Sequence, residues 1–173
     1  MRNKALSLSA AAVLCALTIG TLAGCGPVTT TVAAPDGVSI SEGQARVQTK
    51  GADSQTVDSG ATVHAKANAP VVMTMHKAKA TVICDDPSAE IDIQGLSGTI
   101  TVSGACKAVH ISSADTTVDL GAVKAITLEG ASNKLDVDSA ETLSVAGIDN
   151  KVTYGKITTI GDIEGINNSA RAR

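Results

Sequence analysis

The second half of the chain repeats a short pattern in which two apolar residues flank one polar residue. Successive pairs lie eight or nine residues apart, and small or polar turn residues follow each pair. Alternation with a period of two predicts short β-strands with one buried face. After residue 24, the pattern predicts no amphipathic helix. The pairs are Ile91/Ile93, Ile100/Val102, Val109/Ile111, Val118/Leu120, Ile126/Leu128, Leu135/Val137, Leu143/Val145 and Val152/Tyr154.

A longer period of 17 residues favours one all-β fold over another. Asn133, Asn150 and Asn167 follow this spacing, and so does a column of aliphatic residues. Two strands per repeat of about 17 residues predict a β-solenoid or β-roll, whose coils stack at roughly 4.8 Å. The asparagines are then expected to form a ladder at a turn. An antiparallel β-sandwich is the alternative, but it gives no reason for equal turn residues at this interval. The aliphatic column is Val109, Ile126, Leu143 and Ile160.

The composition agrees with thin coils and argues against nucleic-acid binding. The 173 residues include one Tyr and no Phe or Trp, although 43% are hydrophobic. Branched aliphatic side chains fill a narrow interior, whereas large aromatic rings do not fit it. Proteins that bind single-stranded nucleic acid use aromatic stacking platforms, and those that bind DNA or RNA carry a basic surface. With a formal net charge of −3, the chain has neither feature, so we expect no nucleic-acid partner.

The first 24 residues predict a bacterial lipoprotein signal peptide. Arg2 and Lys4 form a basic start, and an uncharged apolar stretch follows. That stretch is too short and too weakly apolar for a stable membrane span. It ends in Leu22-Ala23-Gly24-Cys25, which matches a lipobox, with cleavage between Gly24 and Cys25. We therefore expect export, acylation of Cys25 and anchoring at the outer face of the cell membrane.

Two of the four cysteines remain free in the mature chain, because Cys15 leaves with the signal peptide and Cys25 is acylated. An even pair in an exported, oxidising compartment predicts one disulfide, Cys84–Cys106. The alternative is a metal site that adds His76, His110 or Asp85. These residues do not have the spacing of known metal ligands, so we expect no metal and no cofactor.

The composition also divides the chain. Residues 25–37 contain the acylated cysteine and a small, Thr-rich tether. Residues 38–80 have loose alternation, which predicts an irregular or capping β segment. Residues 81–168 hold the regular β-repeat, and residues 169–173 are expected to form a disordered tail.

Several motifs of the repeat region are shared with a known family. They include two cysteine contexts and degenerate repeats of the form S-G-x-x-N-x-V-x-V. The region from Ile83 to Asn168 resembles a domain of unknown function found in actinobacteria, mainly in mycobacterial secreted and lipid-anchored proteins. The resemblance implies an envelope location, paired cysteines and a repeat fold, and it brings no catalytic residue. The motifs are Ile83-Cys84-Asp85, Gly104-Ala105-Cys106, Ala131-Ser132-Asn133-Lys134-Leu135, Ile148-Asp149-Asn150-Lys151-Val152-Thr153-Tyr154-Gly155 and Gly165-Ile166-Asn167-Asn168.

The outward-facing residues decide what function to expect. Asp119 and Asp136 lie one coil apart and are the candidates for paired carboxylates of a glycosidase or for a Ca²⁺ site. A sugar-active site also needs aromatic or Arg side chains, so a solvated strand face with no catalytic residue is the expectation. We expect a non-enzymatic structural or interaction module with an envelope protein or glycan as partner. The alternatives are a binder of envelope polysaccharide or glycolipid and, third, a polysaccharide-processing enzyme.

Overall fold

The computed structural model describes residues 43–49, 55–67 and 69–173, and these form an all-β fold. The predicted signal peptide, Cys25 and the tether lie outside the described residues. Within the described ranges there is no helix, and hence none that could cross a membrane. The strands are β1 (Gln44–Thr49), β2 (Gln55–Asp58), β3 (Ala61–Ala65), β4 (Val71–Cys84), β5 (Glu90–Ala131), β6 (Lys134–Val145), β7 (Lys151–Ile163) and β8 (Ser169–Ala172).

The long strands wind into a β-solenoid of about six turns. From β4 to β8, each strand pairs in parallel with the next strand along the chain. The register advances by 20 residues between β4 and β5 and by 17 between β5 and β6. Strand β5 has 42 residues and therefore continues around the corners of more than two coils. Parallel stacking confirms the predicted solenoid and excludes the antiparallel sandwich.

The aliphatic columns predicted from the 17-residue period form the core. Val118 pairs with Leu135, and Leu135 pairs with Val152. On another side of the coil, Ile126 pairs with Leu143. All five side chains are at most 3% exposed. Because only one layer of side chains fits between the walls of such a coil, the core needs branched aliphatic residues rather than large rings.

The N-terminal end of the solenoid is covered by the first three strands. Strand β1 lies antiparallel on residues 71–76 of β4, and β2 lies antiparallel on β1. Strand β3 lies parallel on residues 80–84 of β4. The first coil begins at Val71, inside the segment 38–80 that the sequence predicts to be irregular or capping. That segment thus supplies both a cap and the start of the regular array.

The C-terminal end of the chain is ordered as a strand, where the sequence predicts a disordered tail over residues 169–173. Strand β8 stacks in parallel on Lys151–Tyr154, which places Ala170 beside Val152 and Ala172 beside Tyr154. The tail prediction is wrong because small residues at alternating positions can continue the core columns. Outward side chains in β8 are polar, and the sequence alone does not reveal their contacts.

Candidate functional site

One corner of every late coil carries an asparagine, and we call it the asparagine corner (Asn133, Asn150 and the half-buried Asn168). Asn133 and Asn150 are at most 1% exposed. The Nδ2 of Asn133 donates to Oδ1 of Asn150 at 3.1 Å, so the amides pair along the stack. The Nδ2 of Asn150 donates to the carbonyl oxygens of Gly130 and Ala146 at 3.1 and 3.0 Å. This network satisfies backbone groups that the sharp turn would otherwise leave buried and unpaired.

The third member of the corner is Asn168, which corrects the predicted Asn167. The Oδ1 of Asn168 accepts from the backbone N–H of Asn150 at 2.9 Å. Asn167 instead takes the left-handed position before it, with a φ of 55°. The cause is one extra residue near Gly161 and Asp162, since the register advances from 17 to 18 there. Two adjacent asparagines made the shifted position look regular in the sequence.

The same corner requires glycine three residues before the asparagine. Gly147 has a φ of 107°, and a Cβ on it would lie 2.0 Å from the carbonyl oxygen of Gly130 in the coil before. The left-handed conformation and this close approach both exclude a side chain. The corner is therefore a structural device, and its side chains are engaged in holding neighbouring coils together.

The predicted disulfide Cys84–Cys106 is present and ties the first coil to the second. The two Cα atoms are 5.6 Å apart, and the sequence separation is 22 residues. Since both sulfur atoms are used in this bond, the alternative metal site has lost its cysteine ligands. Among the described residues, no group of three His, Cys, Asp or Glu side chains is placed to hold a metal ion.

Two of the three histidines, His64 and His110, lie beside carboxylates on the outer surface. His64 contacts Asp85 at 3.0 Å. The Nδ1 of His110 lies 3.4 Å from Asp92, and its Nε2 lies 3.5 Å from Glu129. All of these side chains are at least 31% exposed, so water screens the contacts and each stabilises the fold weakly.

The polar face is the outward side of the wall formed by residues 117–121, 134–138, 151–155 and 169–173. As the sequence predicts, Asp119 and Asp136 are direct neighbours on adjacent coils. Arg173 reaches back to contact Asp136 and, at 3.3 Å, Asp138. The hydrogen bond to Asp136 raises the pKa of the Arg173 guanidinium above its usual value. One carboxylate of the predicted pair is thus already neutralised by the chain's own arginine, a contact that no spacing rule reveals.

A shallow groove runs along the neighbouring corner of the solenoid, and we call it the lateral groove. It has a volume of about 400 Å³ and crosses successive coils in the direction of the solenoid axis. Small residues form its floor, and three charged side chains, Lys124, Glu141 and Lys156, stand along it. Sequence reasoning missed this groove, although Ala105, Ala122, Ser139 and Lys156 follow the 17-residue period. The residues that define it are Ala105, Ala122, Lys124, Ser139, Glu141 and Lys156.

Comparison with known proteins finds one family and no characterised relative. A family model described as "Protein of unknown function (DUF3060)" matches residues 93–134 and 111–165. The chain is therefore similar, over its central coils, to a domain of unknown function. No curated protein and no solved structure matches the chain. The matched ranges include the asparagine corner of Asn133 and Asn150 together with most of the polar face and the lateral groove.

Proposed function

We propose that this chain is an exported, lipid-anchored cell-envelope protein whose β-solenoid is a non-enzymatic interaction module. The proposed docking site is the lateral groove, and the proposed partner is an elongated component of the envelope. Anchoring through an acylated Cys25 would hold the module at the outer face of the cell membrane.

The observation that carries this proposal is the straight course of the groove across successive coils. Ala122 pairs with Ser139, and Ser139 pairs with Lys156, so equivalent positions form one line along the stack. Each step of the line is about 4.8 Å, which suits a linear partner that runs parallel to the solenoid axis. Because parallel strands and a disulfide already hold the lining residues, binding would cost little ordering entropy.

The charges along the groove favour a partner that carries acidic or polar groups. Lys107, which lies 17 residues before Lys124, is paired with Glu90 at 2.6 Å. Among the described residues, by contrast, Lys124 and Lys156 form no ion pair with a carboxylate. Their ammonium groups are therefore free to meet a carboxylate or phosphate on the partner, with Glu141 between them limiting how acidic that partner can be.

A pair of matched substitutions tests the groove. Ala122→Tyr fills the groove, and in protein that also carries Cys25→Ser and so lacks the anchor, we expect it to reduce retention on washed envelope fragments by about tenfold. Ala131→Tyr is the control, because its column carries Ile148 and Ile166 in the following coils and thus tolerates large side chains. Protease treatment of the fragments separates a protein partner from a glycan. Equal retention of the two variants and the unchanged protein would contradict the proposal.

The second candidate function is binding of envelope polysaccharide or glycolipid along the polar face. What favours it is the regular array of carboxylate, hydroxyl and ammonium groups at strand spacing, with Asp119 beside Asp136 and Lys134 beside Lys151. Co-sedimentation with purified, protein-free cell-wall polysaccharide tests it. Asp119→Asn is expected to weaken this binding, whereas Ala122→Tyr is expected to leave it unchanged. If Ala122→Tyr weakens the binding and Asp119→Asn does not, the polysaccharide binds in the lateral groove rather than on the polar face.

The anchor has its own test, which does not depend on any partner. Cys25→Ala is expected to lose the acyl mass and to release the exported protein from the membrane fraction. Cys15→Ala is the matched control, since Cys15 lies in the segment that cleavage removes. If both variants stay with the membrane at the same mass as the unchanged protein, Cys25 is not the lipidated residue.

A further inference from the structure

The exposed apolar side chains of this molecule are concentrated at one end. The described residues include five large apolar side chains that are exposed. Leu96 stands alone, whereas Ile148, Ile160, Ile163 and Ile166 all belong to the last two coils and are 41 to 60% exposed. A contiguous apolar patch on a water-soluble surface marks an interaction site, while a single exposed leucine does not.

The backbone at the same end is also unpaired. Strand β8 covers only Lys151–Tyr154 of β7. No described strand lies on the outer edge of residues 155–163, so their outward N–H and C=O groups form an open sheet edge. An edge of this length next to exposed isoleucines is a template for pairing with another strand.

The shape of this end identifies what can cover it. A partner must present strand edges with the same outline and spacing as one coil of this solenoid. A second copy of the C-terminal end has the same outline and the same strand spacing, because it is the same coil. The N-terminal end does not, because β1 and β3 already lie on its first coil and β2 lies on β1. Head-to-tail stacking into a fibre is therefore blocked, and tail-to-tail contact closes after two copies.

We propose that the open C-terminal coil is a self-association surface, on which a second copy of this chain docks tail to tail about a two-fold axis. The axis passes near Thr159, at the corner of the last coil. This inference rests on neither the proposed groove partner nor the anchor, although Lys156 also lines the lateral groove.

The charges of the last coil agree with this axis. Lys156 and Asp162 lie three residues to either side of Thr159, and both are exposed without an ion-pair partner in the part of the chain that the structure describes. A two-fold axis at Thr159 places Lys156 of each copy beside Asp162 of the other. Two equivalent ion pairs then flank Ile160 of both copies and fix the register of the contact.

Disulfide trapping tests the position of the axis. The experiment uses the full chain in detergent, with Cys15 and Cys25 replaced by serine so that no other free thiol is present. Thr159→Cys lies on the axis, and we expect oxidation to convert most of the protein to a covalent dimer. Thr142→Cys is the matched control, because Thr142 is the exposed neighbour of Thr159 one coil further from the end. Equal trapping of the two variants, or none of either, would overturn the proposal.

Sedimentation equilibrium in density-matched detergent tests the charge pairs. Lys156→Asp and Asp162→Lys are each expected to weaken the dimer by about tenfold, and the double variant to restore it. Ile160→Asp abolishes the dimer, whereas Leu96→Asp leaves it intact. A protein that stays monomeric at all concentrations contradicts the proposal. So does a monomer whose exposed isoleucines instead insert into phosphatidylglycerol vesicles, since the patch would then be a lipid contact.

Discussion

The two ends of this solenoid differ in how the side chains of the terminal coil are covered. At the N-terminal end, β1 covers the first coil, and Met73 beneath it is fully buried. At the C-terminal end, Ile160 lies directly on the fully buried Leu143 yet is 41% exposed, because no described coil covers it. A stacked fold must cap or pair each end. Among the described residues, β1 and β3 cover the first coil, whereas no strand covers residues 155–163 of the last coil.

Alanine substitutions at the two ends should show the largest difference. Met73→Ala removes fully buried atoms under a cap and is expected to lower the free energy of unfolding by about 2–5 kcal/mol. Ile160→Ala removes a half-exposed side chain and is expected to cost less than about 1.5 kcal/mol in the monomer. Urea denaturation at low protein concentration measures both. A similar loss for the two variants would mean that the C-terminal coil is covered after all.

The disulfide gives the second contrast, since it ties only the N-terminal coils. Replacing Cys84 and Cys106 by serine is expected to cost about 3 kcal/mol, because the unfolded chain regains the freedom of the closed loop. Reduction of the unchanged protein should give the same loss. Amide hydrogen exchange then locates it: protection should fall most in β4 and the first part of β5. An even loss along all coils would show that the bond stabilises the solenoid as a whole rather than its N-terminal end.

The asparagine corner gives the third contrast, between a buried asparagine, Asn150, and the asparagine of the last coil, Asn168. Asn150→Ala leaves the N–H of Asn133 and the carbonyl of Ala146 without these partners and removes one of the two donors to the carbonyl of Gly130, at a cost of about 1–3 kcal/mol. Asn168→Ala is expected to cost less, since water reaches the last coil and can replace the lost bonds. Thermal or urea unfolding of the two variants measures the difference. Equal costs would contradict the view that the terminal coil is open to solvent.

The coils could be predicted from the sequence because each one places branched aliphatic residues at the same core positions, at a fixed interval along the chain. Leu135 and Val152 could be placed in register from their spacing alone. The extra residue near Asp162 could not, since Asn167 and Asn168 both satisfy an asparagine ladder and only the hydrogen bonds distinguish them. The antiparallel direction of β1 was equally hidden, because alternation is the same in both directions. Arg173 contacts carboxylates 35 and 37 residues away, and no local pattern encodes that pairing.

The smallest expected effect is a change in the pKa of one carboxyl group near the N-terminal end, to which the C-terminal end has no counterpart. In the loop after β4, the Ser88 hydroxyl and backbone N–H both donate to Asp86 and lower the pKa of its carboxyl, the hydroxyl having the larger effect. A lowered pKa in the folded state means that this contact contributes above the ordinary carboxyl pKa and is lost as the pH falls through the lowered value. Ser88→Ala should move the Asp86 pKa up toward its usual range, while Ser144→Ala, remote from the loop, should not. Carbon-13 NMR titration of the carboxyl measures the shift, and an unchanged midpoint in Ser88→Ala would assign the effect to the backbone donor alone. The contact at the other end, Arg173 with Asp136, raises the pKa of a group that is already charged at every ordinary pH, so Arg173 itself has no titration to follow there.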